Sequence, residues 1–282
     1  MRTISGNAVG RTLLVVHAHP DDETISTGGI LARYSAEGVR TVVVTCTNGD
    51  LGEVSDDGLL DDSGIGALRQ RELANAMAVL GVQRSVNLGY GDSGMPGWPE
   101  NHRRGALWAA PLEEAVERLL AILEEEQPQV VVTYDETGGY GHPDHVKTHL
   151  VAVAAFKRAA SAKLYFVRYP LRWSREFVAA LRAEGIPAPS SAPTGANAGP
   201  DVTEVGVPDE LVTTAVDVAA FVANKRAALA CHRSQMPSSH FLLRMSPDLA
   251  ARLWAHEFFS RESGPTTTPR GELESDLFDG LA

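Results

Sequence analysis

Two short stretches of the chain concentrate side chains capable of acid–base and metal chemistry. His17-Ala18-His19-Pro20-Asp21-Asp22-Glu23 places two imidazoles and three carboxylates directly after the apolar run Leu13–Val16. Tyr134-Asp135-Glu136-Thr137-Gly138-Gly139-Tyr140-Gly141-His142-Pro143-Asp144-His145 places two more histidines and further carboxylates after a second apolar run. Zinc takes neutral imidazole nitrogen and carboxylate oxygen, and a catalytic zinc keeps three protein ligands and one open position. In the first stretch His19 and Asp22, three apart, can supply two ligands, which leaves Asp21 free to act on a water. The competing reading is structural: Asp21 or Asp22 caps a helix that begins near Thr24. The first stretch alone does not separate the two.

The elements that must position these residues alternate in type. Arg11–His17, Arg40–Cys46, Ser85–Leu88, Gln129–Tyr134 and Lys163–Arg168 read as strands. Gly28–Glu37, Ile65–Leu80, Leu112–Glu126 and His145–Ala160 read as the helices between them. Continuously apolar strands separated by helices predict an α/β fold: a Rossmann-like, doubly wound, mostly parallel sheet covered on both faces. Such sheets bind ligands beyond the carboxyl ends of their strands, where the strand order reverses. In the common order the first and fourth strands are neighbours, so the two histidine loops converge there. Helix capping does not explain two such loops meeting at one place.

These features predict residues 1–164 as a catalytic core carrying the metal site. Residues 165–263 form a smaller C-terminal subdomain, with helices over Ala215–His232 and Pro247–Phe259. Pro187–Pro208, rich in Pro, Ala, Gly and Ser, reads as a mobile loop, and residues 264–282 as a polar tail that frays.

His19-Pro20-Asp21-Asp22-Glu23 taken with Gly141-His142-Pro143-Asp144-His145 resembles the paired motifs of the LmbE-like, or PIG-L-like, zinc deacetylase family, over roughly residues 11–260. Within that family the likeness is to the mycothiol-pathway branch, which hydrolyses N-acetylglucosaminyl-inositol to glucosaminyl-inositol and acetate. Thr45-Cys46-Thr47-Asn48-Gly49, Gly52-Glu53-Val54, Arg69-Gln70-Arg71-Glu72-Leu73 and Asp92-Ser93-Gly94-Met95 resemble its segments. The resemblance implies one Zn2+ per subunit, with Fe2+ as an alternative metal, and a small-molecule sugar–inositol substrate. It implies zinc ligands His19, Asp22 and His145, with Asp21 as general base. His142 would stabilise the oxyanion or protonate the leaving amine. Tyr140 would be a mobile donor to the oxyanion, and Asp144 would sit behind His142 and orient it. Arg69 and Asp92 would hold sugar and inositol hydroxyls, with Glu53, Ser26 and Met95 nearby. The sequence departs from that branch at Asn48-Gly49-Asp50-Leu51, which is less acidic and bears on the substrate rim.

Three alternatives stand beside this reading: a mycothiol S-conjugate amidase, a deacetylase of another N-acetylglucosamine conjugate, and a nucleotide-binding regulatory module. The amidase relative would carry a lysine near Ser26–Thr27, where none occurs. A regulatory module would not need both histidine loops.

Composition narrows the partners. The chain has 282 residues and a formal net charge of −11, so it has no general attraction for nucleic acid or an anionic membrane. Its two cysteines, Cys46 and Cys231, form no CxxC pair, and the N-terminus shows no basic-then-apolar leader, which fits a cytoplasmic location. Gly28-Gly29 lacks the spacing and lysine of a phosphate loop and reads as close helix packing. The carboxylates at 56, 57, 61 and 62 lack an EF-hand pattern and read as a solvated loop. Cys46 reads as core, and His232 and His240 as structural or surface residues. Trp98 and Trp108 read equally as sugar-pocket walls or as core.

Overall fold

The computed structural model describes residues 10–187 and 206–281. Most of the expected loop over residues 187–208 lies outside them. A seven-stranded sheet runs in the order β3-β2-β1-β4-β5-β7-β6. Strands β1 (Thr12–His17), β2 (Arg40–Thr47), β3 (Arg84–Tyr90), β4 (Val130–Thr133) and β5 (Lys163–Arg168) are parallel. Strand β7 (His256–Ser263) is antiparallel to both β5 and β6 (Thr214–Asp217). The fold is thus the α/β, Rossmann-like doubly wound sheet expected, with β1 and β4 adjacent. No helix among the described residues is long and apolar enough to cross a membrane.

The apolar strands explain the layers. Every residue of β1 and β4 is buried, as a strand covered on both faces requires. Leu13 and Val15 point into one core with Ile30, Leu31, Leu73 and Met77. These come from α1 (Asp22–Ala36) and α2 (Gly64–Leu80). Leu14 and Val16 point into the other core with Leu119, Leu123, Val151 and Ala155, from α3 (Leu112–Glu126) and α4 (Pro143–Arg158). Gly29 bears out the packing reading of its pair: a Cβ there would lie 2.6 Å from Val218 Cγ2. A third cluster joins Phe177 and Leu181 of α5 (Leu171–Ala183), Leu229 of α6 (Val222–Leu229), Leu242 of α7 (Phe241–Arg244) and Leu249 of α8 (Pro247–Leu253).

The C-terminal third departs from the expectations in four ways. The helix expected over Ala215–His232 begins as β6, and only Val222–Leu229 is α-helix. The helix expected over Pro247–Phe259 stops at Leu253, and the chain turns into β7. The expected boundary between residues 164 and 165 falls inside β5, so the sheet runs across it. The segment expected to fray packs instead. Leu277 and Phe278 are buried against Tyr34, whose hydroxyl donates to Asp276 at 2.8 Å and accepts from the Leu277 N–H at 2.8 Å. Lys163, wholly buried, donates to the Asp279 carbonyl at 2.7 Å. Two apolar side chains in a polar stretch suffice to dock it, and its buried polar groups are paired.

Candidate metal and catalytic site

The loops after β1 and β4 meet where the strand order reverses. Thr133 donates from its hydroxyl to the Val16 carbonyl at 3.1 Å, and the Ala18 N–H donates to the Tyr134 hydroxyl at 2.9 Å. Between them lies a cavity of about 560 Å³. Three donor atoms face one another at its floor. His19 Nδ1 lies 3.3 Å from Asp22 Oδ2, His145 Nε2 lies 3.3 Å from the same oxygen, and the two nitrogens are 3.3 Å apart. Bonds of about 2.0–2.1 Å in tetrahedral geometry place ligand atoms about 3.3 Å apart, so the triangle has the dimensions of a zinc site with one vertex open.

The outer nitrogen of each imidazole is anchored. His145 Nδ1 faces the Gly138 carbonyl at 3.1 Å, and His19 Nε2 faces Asp144 Oδ2 at 3.2 Å. A carbonyl or carboxylate in that place fixes the tautomer and aims the other lone pair inward. Gly138 is required for this approach. It has φ +65, and a Cβ there would lie 2.5 Å from the Cβ of His145. Burial disfavours charge on His19, but the carboxylates of Asp144, Asp22 and Asp92 outweigh it and raise its pKa well above the usual value. That field favours a cation among these donors. Two wider groupings, His19 with His142 and His145, and His19 with Asp92, His142 and Asp144, also bring donor atoms within 4.8 Å. The donor atoms of His19, Asp22 and His145 lie closer together, each 3.3 Å from the other two. The 3.3 Å triangle therefore fits a metal best.

Asp21 stands beside the triangle in an unusual backbone conformation, φ 123 and ψ −32. A non-glycine residue there stores about 1–3 kcal/mol of strain. Its side chain makes no capping bond; its carbonyl instead accepts from Thr24 N–H and Ile25 N–H at 3.0 and 3.1 Å. Asp22 does not cap forward either, since its Oδ2 accepts from the His19 N–H behind it at 2.9 Å. The capping reading therefore does not account for either carboxylate. Burial pushes the Asp21 carboxyl up, Arg69 pulls it down and Asp22 pushes it up again, for a pKa of about 6.

Of the other expected site residues, several sit where the motif places them and some do not. His142 and Tyr140 line the cavity, and Tyr140 is 43% exposed, with its ring edge-on to His145 at 4.9 Å. His142 Nδ1 accepts from the Asp144 N–H at 3.1 Å, which leaves Nε2 as the protonated donor. Burial and the neighbouring histidines lower its pKa to about 3, so it is neutral. Asp144 differs from the expectation: its carboxylate lies behind His19, and only its backbone meets His142. Ser93 holds that carboxylate through its N–H at 2.8 Å and its hydroxyl at 2.5 Å.

Arg69 also differs. Its guanidinium donates to the Gly49 carbonyl (2.9 Å), the Pro20 carbonyl (2.7 Å) and Asp21 Oδ2 (3.2 Å) through its two terminal nitrogens, and Nε has no partner among the described residues. Asp92 lies on the floor, 3.6 Å from His19 Nε2. Ser26 and Met95 line the cavity, although Ser26 Oγ is 3.0 Å from the Tyr169 hydroxyl. Glu53 does not line it; its backbone carbonyl accepts from Gln235, which does. Trp98 is a wall residue and Trp108 is not.

Sequence reasoning missed Tyr134, Arg168 and Gln235. Tyr134 stacks on His145 (centroids 4.3 Å apart, 18° between planes), and its hydroxyl accepts from the Ala18 N–H at 2.9 Å beside the Asp22 carboxylate. Arg168 binds Asp135, whose Oδ1 accepts from the Thr137 N–H at 2.9 Å and the Gly139 N–H at 3.1 Å, anchoring the loop that carries Tyr140. Cys46 is buried with its thiol pushed up to about 12, as a core residue.

Known proteins bear on this site. The signature of the PIG-L, or GlcNAc-PI de-N-acetylase, family matches residues 14–156. A protein of Thermobifida fusca named 1D-myo-inositol 2-acetamido-2-deoxy-alpha-D-glucopyranoside deacetylase is 42% identical over 95% of this chain and 99% of its own. The protein of the same name from Acidothermus cellulolyticus is 43% identical over 96% and 95%. Among solved structures, the N,N'-diacetylchitobiose deacetylase of Pyrococcus horikoshii superposes with a TM-score of 0.57 at 21% identity, covering 93% of this chain and 88% of its own, a likeness of fold. The matched span contains both histidine loops and the relatives align almost end to end, so the chain belongs to the PIG-L family.

Proposed function

We propose that the protein hydrolyses the N-acetyl group of N-acetylglucosaminyl-inositol, giving glucosaminyl-inositol and acetate, as a step of mycothiol biosynthesis. The observation that carries the reading is the 3.3 Å triangle of His19, Asp22 and His145, with a carboxylate of pKa about 6 beside it in a cavity of sugar size. The two relatives named for that substrate support the choice of sugar. His19, Asp22 and His145 would hold one zinc ion. When bound there, zinc would supply Lewis acidity, polarising the acyl oxygen and easing the deprotonation of water.

The residues of the chain account for the remaining chemistry. The Asp21 carboxylate takes a proton from the attacking water as the carbon–oxygen bond forms. The developing oxyanion on the substrate is met by the Tyr140 hydroxyl and by the Nε2–H of neutral His142. A neutral His142 is a hydrogen-bond donor rather than a strong acid. Asp21, with its raised pKa, is the better group to hand its proton to the departing amine, and the carbon–nitrogen bond then breaks. One residue thus serves both proton transfers.

The test is acetate release from N-acetylglucosaminyl-inositol, free N-acetylglucosamine and a mycothiol conjugate, before and after chelation. The inositol conjugate should give the highest kcat/KM, and activity should vanish on chelation and return with zinc. Preference for the mycothiol conjugate would favour the amidase reading. Full turnover in metal-free protein would remove the mechanism altogether.

A further inference from the structure

We propose that Glu23 and His232 are positioning residues for Asp21, holding its strained backbone so that its carboxylate faces the cavity. The inference rests on the reading of Asp21 as the general base. Among the described residues only Asp21 and Gln127 are non-glycines with positive φ. Gln127, at φ 46, ends α3 in an ordinary left-handed turn, whereas Asp21 at φ 123 lies well beyond that region. Such a conformation persists only when its surroundings over-determine it.

Three contacts do so. The Pro20 carbonyl is held by Arg69 at 2.7 Å, and the Asp21 carbonyl by the first turn of α1. The remaining group, the Asp21 N–H, donates to Glu23 Oε2 at 2.9 Å. A rotation that relaxed φ would take this N–H away from its acceptor. Glu23 is fully buried, and its other oxygen accepts from the Thr24 hydroxyl at 2.5 Å and lies 3.1 Å from His232 Nε2. His232 is also fully buried.

A lone buried carboxylate would carry a heavy desolvation cost, and His232 is the partner that offsets it. His232 is in turn placed by its neighbours. Ser234 binds Glu72 through its N–H and hydroxyl at 2.8 and 2.6 Å, and Gln235 donates to the Glu53 carbonyl at 2.9 Å. Neither Glu23 nor His232 lines the cavity. The direct contact of Glu23 with the proposed base is the Asp21 N–H, and an unchanged zinc content separates that route from one through the adjacent Asp22.

A double-mutant cycle tests this, with kcat, KM, bound zinc and thermal stability measured for each variant. Glu23→Ala should lower kcat by about 10–100-fold, the loss expected when a reacting group shifts by about 1 Å, with KM and zinc content unchanged. Glu23→Gln, which keeps an acceptor for the Asp21 N–H, should recover most of the rate. In the Asp21→Asn background Glu23→Ala should add less than about twofold, because a residue acting through another loses its effect when that other is gone. If Glu23→Ala does not fold, His232→Ala and the more conservative His232→Gln complete the same cycle. Additive losses beside an inactive Asp21→Asn, or joint loss of stability, zinc and rate with no rescue by the conservative variants, would overturn the positioning role alone. Near-normal turnover in Asp21→Asn would overturn both this role and the base assignment.

Discussion

Tyr134→Phe isolates one hydroxyl at the candidate metal site. The ring stays, so the stack on His145 at 4.3 Å is preserved. The change removes the hydroxyl that neighbours the Asp22 carboxylate and accepts from the Ala18 N–H. Outer-shell partners of metal ligands typically contribute about 10–100-fold in affinity, or about 1.4–2.7 kcal/mol. Tyr134 touches two of the three proposed ligands and the residue before the third, so the upper half of that range is expected. The orphaned Ala18 N–H should cost about 1–3 kcal/mol of stability besides. Competition against a chromophoric chelator gives the zinc Kd, and denaturant titration of metal-free protein gives the stability. A Kd within twofold of the unmodified protein, alongside lost stability, would refute the reasoning and leave Tyr134 a purely structural residue. An unchanged Kd in His145→Ala would refute the ligand set itself.

Three further outcomes follow from the geometry. Asp22→Asn should lose zinc, whereas Asp21→Asn should keep about one zinc per chain and lose about 10²–10⁴-fold in kcat; zinc content and rate measured together would expose a swap of the two roles. The kcat/KM profile should fall as pH drops through about 6, where Asp21 gains its proton. Arg69 pulls that pKa down, so Arg69→Met should move the acid limb to higher pH, and a shift the other way would contradict the ion pair. Phe278→Ala should cost about 3–5 kcal/mol of stability, read by denaturant midpoint, while the folded fraction keeps its kcat.

What could be read from the sequence divides along physical lines. Strands buried on both faces are continuous apolar runs, so β1, β2, β4 and β5 were legible, and with them the meeting of the two histidine loops. Strand β6 has only four residues, too few to show an alternating pattern, and it runs into the Ala-containing segment that becomes α6; its pairing with β7 is a tertiary contact that no local pattern announces. Residues 264–281 look polar because only Leu277 and Phe278 need a core. His19, Asp22 and His145 were legible because two short motifs hold them. Tyr134 looked like the end of an apolar strand, and the partner of Glu23 lies 209 residues away. The contacts of Arg69 with two loop carbonyls and Asp21 were not legible, because they depend on how the loops fold together.

The antiparallel closure of the sheet bears on how the protein is made. Strand β5 is apolar along most of its length, and on one side its ladder is satisfied only by β7, near the end of the chain. During synthesis the parallel half can assemble around β1 while that edge of β5 stays open, as a template for any other strand in its reach. Slow translation, a truncated message or a mutation that delays β7 would lengthen that exposure. Poor recovery of shortened forms would then reflect self-association in the nascent state, with the chemistry of the histidine loops untouched.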